Sequence, residues 1–284
     1  MPGNIIQWFP GHMAQTRRMI KENLGNVDIV FELLDARIPE SSRNPEILAL
    51  LGDKKRVVIL NKEDLADPEM NQKWKEKFLS QGQGVVLMDC KAGKGEGQIL
   101  AEAKRLLSDK IKRDREKGMK KPIRAMVVGI PNVGKSTLIN RFAKTKKAQA
   151  ENRPGVTKTK QWVKVGAELE LLDMPGVLWP KFEDVTTGEH LAMTGAIKDS
   201  ILQSEEIACL LCAELKRIAP EKLISRYQIK ESDLEGDAYD LFCAIGRKRG
   251  LLISGGEVNE ERCAAMLLDE FRNGKIGRIT LEEP

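Results

Sequence analysis

The sequence has no long apolar run. No stretch of about 18 apolar residues occurs, which is the length that a membrane-spanning helix needs. The start, Met1-Pro2-Gly3-Asn4-Ile5, has no apolar signal-peptide core. With 41% hydrophobic residues in 284, the chain can still bury a sizeable core. We therefore expect an intracellular, cytoplasmic protein without a membrane segment; the sequence leaves the oligomeric state open, and a monomer is expected.

Histidine and cysteine are scarce, which leaves few ligands for a metal cluster. The chain contains two histidines, His12 and His190, and five cysteines without regular spacing. Cys209 and Cys212 have the short spacing of a zinc knuckle, but no second cysteine or histidine pair accompanies them in their apolar helical stretch. Core packing is the favoured interpretation, and this cysteine usage suits a reducing compartment.

One motif predicts phosphate binding. The pattern Gly-x4-Gly-Lys-Ser occurs at residues 129–136, after an apolar run and before an amphipathic segment. Its glycines let backbone N–H groups point at phosphate oxygens, and the following helix offers the positive end of its dipole. Lys135 is expected to reach the β- and γ-phosphates, Ser136 to bind Mg²⁺ and Thr137 to hold the α-phosphate. The predicted nucleotide contacts here are Asn132, Val133, Gly134, Lys135, Ser136 and Thr137.

A second motif selects the base. Asn61-Lys62-Glu63-Asp64 follows the apolar residues 57–60. The Asp64 carboxylate can accept hydrogen bonds from N1 and N2 of guanine, whereas adenine presents an acceptor and a C–H there. A site that leaves a buried polar group unpaired rejects the wrong partner by roughly 10⁴ or more. Asn61, Lys62 and Asp64 are therefore predicted to bind GTP rather than ATP.

A third motif, Asp173-Met174-Pro175-Gly176, follows the apolar residues 169–172. Asp173 is expected to hold Mg²⁺ through water, and the N–H of Gly176 to sense the γ-phosphate. The polar loop at residues 153–159 is suited to an ordering switch. We assign Thr157 as its Mg²⁺ ligand, with Thr159 a lesser candidate and a loop without such a role as the alternative.

The order of the motifs is reversed relative to most GTPases, because the base motif at residue 61 precedes the phosphate loop at residue 129. A circularly permuted P-loop GTPase domain is predicted. Apolar runs at residues 29–34, 57–60, 85–88, 125–128, 162–165 and 169–172 alternate largely with helical patterns. This alternation predicts a doubly wound, mostly parallel α/β sheet in residues 1–184, with nucleotide at the carboxyl ends of its strands. Helical periodicity in residues 185–284 predicts a small all-α domain. RNA binding by this domain is a separate expectation.

The residue that assists hydrolysis is less obvious. Val177 follows Gly176, where Ras-like enzymes carry a glutamine that orients the attacking water. An exposed imidazole can orient or accept a proton from water, and His12 follows a Pro-Gly turn. A helix-capping or RNA-contacting His12 accounts for the same pattern.

The chain resembles the ribosome biogenesis GTPase A (YlqF-type) family of circularly permuted GTPases over nearly its whole length. The segments that carry the resemblance are Gln7-Trp8-Phe9-Pro10-Gly11-His12-Met13, Asp35-Ala36-Arg37-Ile38-Pro39, Asn61-Lys62-Glu63-Asp64, residues 129–137, Pro154-Gly155-Val156-Thr157, Asp173-Met174-Pro175-Gly176 and Leu178-Trp179-Pro180-Lys181. In that family a hydrophobic residue replaces the glutamine, as Val177 does, and the histidine of the N-terminal turn is implicated in hydrolysis. The resemblance therefore makes His12 the candidate catalytic residue.

The resemblance implies a GTP-hydrolysing assembly factor for the large ribosomal subunit, which binds rRNA and the ribosomal particle, with its ribosomal proteins, in the GTP state and leaves on hydrolysis. The alternative is a GTP-gated RNA-binding or scaffold protein in which hydrolysis is incidental. Asn132 resembles the asparagine of potassium-dependent GTPases, so K⁺ joins GTP and Mg²⁺ as a candidate cofactor; a role in loop stability alone is equally open. Cys90 departs from the Ser-Ala of the family's last guanine loop, which puts individual contacts there in doubt.

The net charge of +5 is unevenly divided. Residues 1–184 contain 34 basic and 24 acidic side chains, whereas residues 185–284 contain 13 and 18. The basic residues are densest at 104–124 and 141–160. Such clusters favour phosphate-backbone binding, with a solvated helix face as the alternative. Gly246-Arg247-Lys248-Arg249-Gly250 is expected to be a basic loop that contacts RNA.

Overall fold

The computed structural model describes residues 11–145, 161–179, 182, 184–199 and 203–284, with the backbone alone at residues 11–13, 144, 145 and 161. The chain divides into two compact units, Met1–Glu183 with Glu282–Pro284 and Asp184–Leu281. The division lies one residue from the predicted boundary.

A six-stranded sheet lies at the centre of the first unit. Its strands are β1 (Ile29–Asp35), β2 (Arg56–Asn61), β3 (Gly84–Met88), β4 (Ile123–Val128), β5 (Gln161–Val165) and β6 (Leu169–Asp173). Their order across the sheet is β3-β2-β1-β4-β6-β5, and every neighbouring pair is parallel except β5 and β6. This arrangement confirms the predicted doubly wound, mostly parallel α/β fold.

The apolar runs form strands because the sheet is covered on both faces. All seven residues of β1 are buried, as expected for a central strand of a parallel sheet. The helices of this unit are α1 (Gly11–Leu24), α2 (Pro45–Leu51), α3 (Pro68–Ser80), α4 (Glu96–Leu106), α5 (Ser108–Glu116) and α6 (Lys135–Thr145). Trp74 and Phe78 of α3 are buried in one core cluster with Val58 and Leu60 of β2.

The predicted hairpin at residues 162–172 is confirmed as the antiparallel pair β5 and β6. Gly166 in its turn has φ +60°, a left-handed conformation that glycine adopts without steric cost. The hairpin returns the chain to the sheet so that β6 pairs with β4 in parallel. Asp173, the last residue of β6, is paired in register with Val127 of β4. The two strand ends that carry the phosphate loop and the third motif are therefore neighbours.

The second unit is helical. It contains α7 (Val185–Met193), α8 (Ser204–Ile218), α9 (Pro220–Tyr227), α10 (Ala238–Lys248) and α11 (Glu260–Arg272). The core includes Leu211 and Leu215 of α8, Phe242 of α10 and Leu267 of α11. Cys212 is fully buried in this core, where burial raises its thiol pKa well above the ordinary value. This agrees with the core-packing interpretation for Cys212, whereas Cys209 on the same helix is only partly buried.

The expected basic loop at residues 246–250 was predicted wrongly. Gly246, Arg247 and Lys248 form the last turn of α10, and Gly246 is buried where an added Cβ would lie 2.5 Å from the Cγ1 of Val258. Arg249 forms an ion pair within the helical unit, because its Nη2 lies 2.8 Å from a Glu270 carboxylate oxygen. Arg247 and Lys248 remain exposed on the helix end, so the basic character of the segment persists without a loop.

The prediction also assigned Glu282–Pro284 to the helical domain, whereas these residues belong to the first unit. The Glu282 carboxylate accepts hydrogen bonds from the backbone N–H groups of Glu40 at 2.6 Å and Ser41 at 3.0 Å. The buried indole of Trp74 donates to the Glu282 carbonyl at 3.2 Å. These bonds attach the segment to a loop and a helix more than 200 residues away in sequence.

Candidate functional site

The motifs meet at one edge of the sheet. The phosphate loop follows β4, the base motif begins at the last residue of β2, and Asp173 ends β6. All three strands are parallel, so their carboxyl ends lie on the same edge. The chain order of the strands reverses between β1 and β4, and ligands of open α/β sheets bind beside such a point.

Two glycines of the phosphate loop occupy positions that a side chain would block. An added Cβ on Gly129 would lie 2.6 Å from the carbonyl oxygen of Leu33. Gly134 has φ +108°, and its Cβ would collide with the side-chain nitrogen of Asn61. Asn132 adopts a left-handed conformation with φ +58°, which asparagine tolerates better than most residues. The loop therefore has the tight backbone curvature that places N–H groups around a phosphate.

Lys135 is buried and has backbone carbonyls as hydrogen-bond acceptors. Its Nζ donates to the carbonyls of Gly129 at 2.9 Å and Ile130 at 2.7 Å. Burial lowers the pKa of this ammonium to about 8, although the charge of Asp173 opposes the shift. A buried cation of this kind fits a polyanionic ligand, because phosphate oxygens would compensate its charge more fully than neutral carbonyls.

Gly176 of the third motif lies directly against the phosphate loop. A Cβ at this position would come within 2.5 Å of the Lys135 Nζ and within 3.1 Å of the Pro131 backbone. The predicted γ-phosphate sensor and the predicted phosphate-binding lysine are therefore neighbours. Val177 follows with its side chain buried, and its carbonyl accepts a hydrogen bond from the Asn44 amide at 3.2 Å. The apolar Val177 side chain offers no polar group to a water molecule.

Asn61 joins three loops of the site. Its side-chain nitrogen donates to the Val133 carbonyl at 2.7 Å, and its side-chain oxygen accepts from the Cys90 N–H at 3.0 Å. Both functional groups of the amide are thus used to position the phosphate loop and the loop after β3. Contact between Asn61 and the base itself stays a prediction.

Lys62 is held by a buried ion network. Its Nζ lies 2.8 Å from a carboxylate oxygen of Asp35, whose other partner is the fully buried guanidinium of Arg37 at 2.7 Å. Burial acts to raise the pKa of Asp35, but the charges of Arg37 and Lys62 outweigh it and hold this pKa well below its usual range. The sequence had singled out Asp35 and Arg37 without a role. Through these ion pairs, Asp35 at the end of β1 and Arg37 just after it connect this strand to the base motif.

Asp64 has the exposure that a base-recognising carboxylate needs. Its side chain is exposed, and its pKa is raised by partial burial and by the charge of Asp89. An N–H donor pair would favour the charged form of this carboxylate and offset the repulsion.

The loop after β3 closes this side of the site. Asp89 caps it by accepting hydrogen bonds from the N–H groups of Lys91 and Ala92. Cys90 is buried and its pKa is raised to about 12 by burial and the Asp89 charge, so its thiol is a neutral packing group. The contribution of Cys90 to the site is its backbone N–H, which donates a hydrogen bond to the Asn61 side-chain oxygen.

Arg141 was not predicted as a site residue. It extends from α6, the helix that follows the phosphate loop, to Glu96 at 2.8 Å and to the Lys91 carbonyl at 3.3 Å. An added Cβ on Gly93 would collide with its guanidinium. This long-range contact ties the phosphate-loop helix to the loop after β3, and its sequence signal is confined to Gly93 beneath it.

Ser136 and Thr137 are exposed in the first turn of α6, and the predicted metal-bridging Asp173 is buried at the end of β6. Among the described residues no three His, Cys, Asp or Glu side chains form a cluster that could hold a metal ion. A magnesium ion held by one hydroxyl, waters and substrate phosphates needs no such cluster. The donor set present therefore fits a nucleotide-bound Mg²⁺.

The predicted switch residues Thr157 and Thr159 lie outside the described residues, and His12 is described only by its backbone, in the first turn of α1. His190 is buried in α7, in agreement with a helix-face residue rather than a site residue. Within the described part of the chain, no helix is long and apolar enough to cross a membrane.

Comparisons with known proteins agree with this geometry. The family described as "50S ribosome-binding GTPase" matches residues 124–235. "Ribosome biogenesis GTPase A" of Priestia megaterium is 53% identical over 98% of this chain and 97% of its own length. "Mitochondrial ribosome-associated GTPase 1" of Xenopus tropicalis is 32% identical over 98% and 94% of the two chains. A solved structure of GNP-bound YlqF from T. maritima has a TM-score of 0.64 and 27% identity, covering 95% of this chain and 98% of that one.

Proposed function

This chain belongs to the ribosome biogenesis GTPase A family, a ribosome-assembly GTPase, and from this premise we propose that it acts on the large ribosomal subunit. In its GTP state it binds rRNA and the ribosomal particle with its ribosomal proteins, and GTP hydrolysis releases it. The protein binds its nucleotide together with Mg²⁺. It acts in the cytoplasm as a monomer. The observation that carries the proposed GTP-dependent switch is the short distance between Gly176 and the Lys135 Nζ.

The binding step begins with Lys135. When GTP enters, its Nζ exchanges the Gly129 and Ile130 carbonyls for β- and γ-phosphate oxygens, which restores the proton affinity that burial reduces. Asn132, Val133 and Gly134 supply backbone N–H groups, and Thr137 holds the α-phosphate. Asn61 keeps the phosphate loop beside the base loop, while Asp64 accepts the guanine N–H groups and Lys62 flanks the base.

The metal and the switch complete the site. Bound Mg²⁺ would neutralise charge that develops on the phosphates. Ser136 and Asp173 are the described residues that would hold it, and Thr157 is the third proposed ligand. K⁺ beside Asn132 would add a second positive charge at the phosphates. Gly176 senses the γ-phosphate through its N–H, and since the Val177 carbonyl is bonded to Asn44, a shift of this loop also acts on the start of α2.

Water activation is assigned to His12. Val177 is buried and apolar, so the residue after the sensor glycine cannot orient water. His12 lies in the first turn of α1, and its imidazole would orient or deprotonate the attacking water when the ribosomal particle is bound.

The test is GTP turnover measured with and without large ribosomal subunits, in K⁺ and in Na⁺. We expect stimulation by large subunits, greater in K⁺ than in Na⁺, and no comparable stimulation by small subunits. His12→Ala should retain GTP affinity and lose the stimulated turnover. Gln15→Ala, an exposed change one turn along the same helix, is the matched control and should behave as the wild type.

Each outcome separates the alternatives. Unchanged turnover with persistent binding of large subunits would support a GTP-gated scaffold in which hydrolysis is incidental. Weakened GTP binding with normal stimulated turnover in His12→Ala would reject the catalytic assignment. Equal turnover in K⁺ and Na⁺ would limit Asn132 to loop stabilisation.

A further inference from the structure

The basic residues between 104 and 124 fall into two groups in the folded chain. Four of the ten form ion pairs with carboxylates: Lys104 with Glu168, Arg105 with Glu102, Lys110 with Asp114 and Arg124 with Glu170. The other six are all exposed, and none forms an ion pair with a carboxylate among the described residues, although the charges of Lys117 and Lys121 act on Asp114: Lys112, Arg113, Arg115, Lys117, Lys120 and Lys121. We name these six the α5 basic surface.

Three of the six, Lys112, Arg113 and Arg115, lie on α5, which is not part of the core, and the other three follow it. No residue of α5 is buried, and its apolar member Ile111 is only partly covered. The Lys110–Asp114 pair, one turn apart, supports the helix and uses one of the two acidic side chains that lie among the six cations. Glu116 is the other, so the surface has a clear excess of positive charge.

The α5 basic surface lies away from the nucleotide edge. Gly118, with φ +71°, turns the chain after α5, and the chain then enters β4 at Ile123. The phosphate loop begins at the other end of this six-residue strand, which spans roughly 20 Å at about 3.3 Å per residue. Lys135 and Lys62, at the nucleotide edge, do not extend this surface, because Lys135 is buried and Lys62 is paired with Asp35.

From these observations we infer that the α5 basic surface binds the phosphate backbone of double-stranded RNA. This single contact is independent of the bound nucleotide, whereas binding of the whole ribosomal particle follows the GTP state as proposed above. Unpaired lysine and arginine side chains release counterions from a polyanion without reading its sequence. Residues 108–122 contain no aromatic side chain on which unpaired bases could stack, which favours a duplex over a single strand. The inference rests on the proposed ribosomal function for the identity of the RNA.

The surface is less suited to an anionic membrane. Helices that lie on membranes bury a face of Leu, Phe or Trp in the lipid. The segment from 108 to 121 has Ile111 and Met119 as its apolar residues, and it contains no Leu, Phe or Trp. Charge without an apolar face is the footprint of nucleic-acid backbone binding.

The experiment compares two triple variants that remove the same charge. The surface variant is Lys112→Gln, Arg115→Gln, Lys120→Gln, and the control is Lys73→Gln, Lys75→Gln, Lys164→Gln, whose lysines also lack carboxylate partners among the described residues. Binding to a labelled RNA duplex of about 16 base pairs, the span of a typical double-stranded RNA module, is measured with GDP and with a non-hydrolysable GTP analogue. The salt range runs from about 50 to 200 mM, where counterion release is steep.

The surface variant should bind the duplex about tenfold or more weakly than the control at low salt, equally with either nucleotide, and its salt slope should fall by about three. Equal binding by the two variants would overturn the inference. The inference would also be overturned if the wild type bound phosphatidylglycerol vesicles as tightly as the RNA duplex and the surface variant lost this vesicle binding. Wild-type turnover with large subunits, measured separately, tests the proposed function: absent stimulation with the duplex result intact would reject that function alone.

Discussion

The side-chain nitrogen of Asn61 lies 2.7 Å from the carbonyl oxygen of Val133, across 72 residues of sequence. This bond joins the predicted base-recognition loop to the predicted phosphate-binding loop, although the two motifs stand in reversed chain order. The Asn61 oxygen extends the connection to the loop after β3 through the Cys90 N–H. Through one amide, the three loops are held as a single site, and the permutation leaves this connection intact.

Replacing Asn61 should weaken both the fold and the site. Asn61→Ala leaves the buried N–H of Cys90 and the Val133 carbonyl without their partner, a cost of about 1–3 kcal/mol in the free energy of unfolding. GDP and GTP affinity should fall together, because both nucleotides depend on the phosphate loop. Denaturant unfolding and nucleotide titration measure these effects, with exposed Asn26→Ala as the control. Wild-type stability and affinity in Asn61→Ala would contradict a positioning role.

Nucleotide binding should depend on pH through Lys135. In the nucleotide-free protein the pKa of its ammonium is about 8, and phosphate oxygens would raise it on binding. Below pH 8 the lysine is already charged and affinity is constant. Above pH 8 binding must take up a proton, so GDP affinity should fall by up to about tenfold per pH unit. Titration calorimetry in buffers of different ionisation enthalpy measures the proton directly.

Guanosine provides the control for Lys135, because it shares the base and lacks the phosphates. Its affinity should not show the step near pH 8. An identical pH dependence for GDP and guanosine would place the titrating group outside the phosphate loop.

Asp64 should determine the preference for guanine. Asp64→Asn replaces one acceptor oxygen with a donor that faces the guanine N–H groups, so GTP-over-ATP selectivity should fall by about 100-fold or more. Competition binding of GTP and ATP measures this ratio. Asp67→Asn is a matched change three residues away, because asparagine caps a helix as well as aspartate does and α3 keeps its N-cap. Unchanged selectivity in Asp64→Asn would reject the base assignment.

Glu282 should stabilise the GTPase unit from the distant end of the described chain. Glu282→Ala removes the acceptors of the Glu40 and Ser41 N–H groups, and the lost charge-assisted bonds should lower the free energy of unfolding of this unit by about 1.5–3 kcal/mol. Glu283→Ala removes an exposed carboxylate one residue away and should have little effect. Denaturant unfolding followed by tryptophan fluorescence, to which Trp74 bonded to the Glu282 backbone contributes, measures the difference. Equal unfolding midpoints for the two variants would show that the bonds contribute nothing.

The strands and the phosphate-loop residues could be predicted from the sequence. Apolar runs predicted all six strands within two residues at each end, because a buried parallel strand excludes polar side chains on both faces. Gly129, Gly134 and Lys135 were recognisable because the residue type itself is what a phosphate loop requires. Residues 246–248 were misread, since a run of basic residues between glycines is compatible with either a loop or the end of a helix, and packing of Gly246 against Val258 decided for the helix.

The sequence by itself determined the class of the protein: its nucleotide, the strands that carry the motifs and the reversed order in which they occur. These features depend on residue type and local spacing. Only the tertiary structure decided which groups serve as connections, such as Asn61 with Val133 and Glu282 with Ser41, and which cations of residues 104–124 are paired or exposed. Those partners are far apart in sequence. Their contacts depend on the order and register of the strands and on the connections between them, which local sequence patterns do not specify.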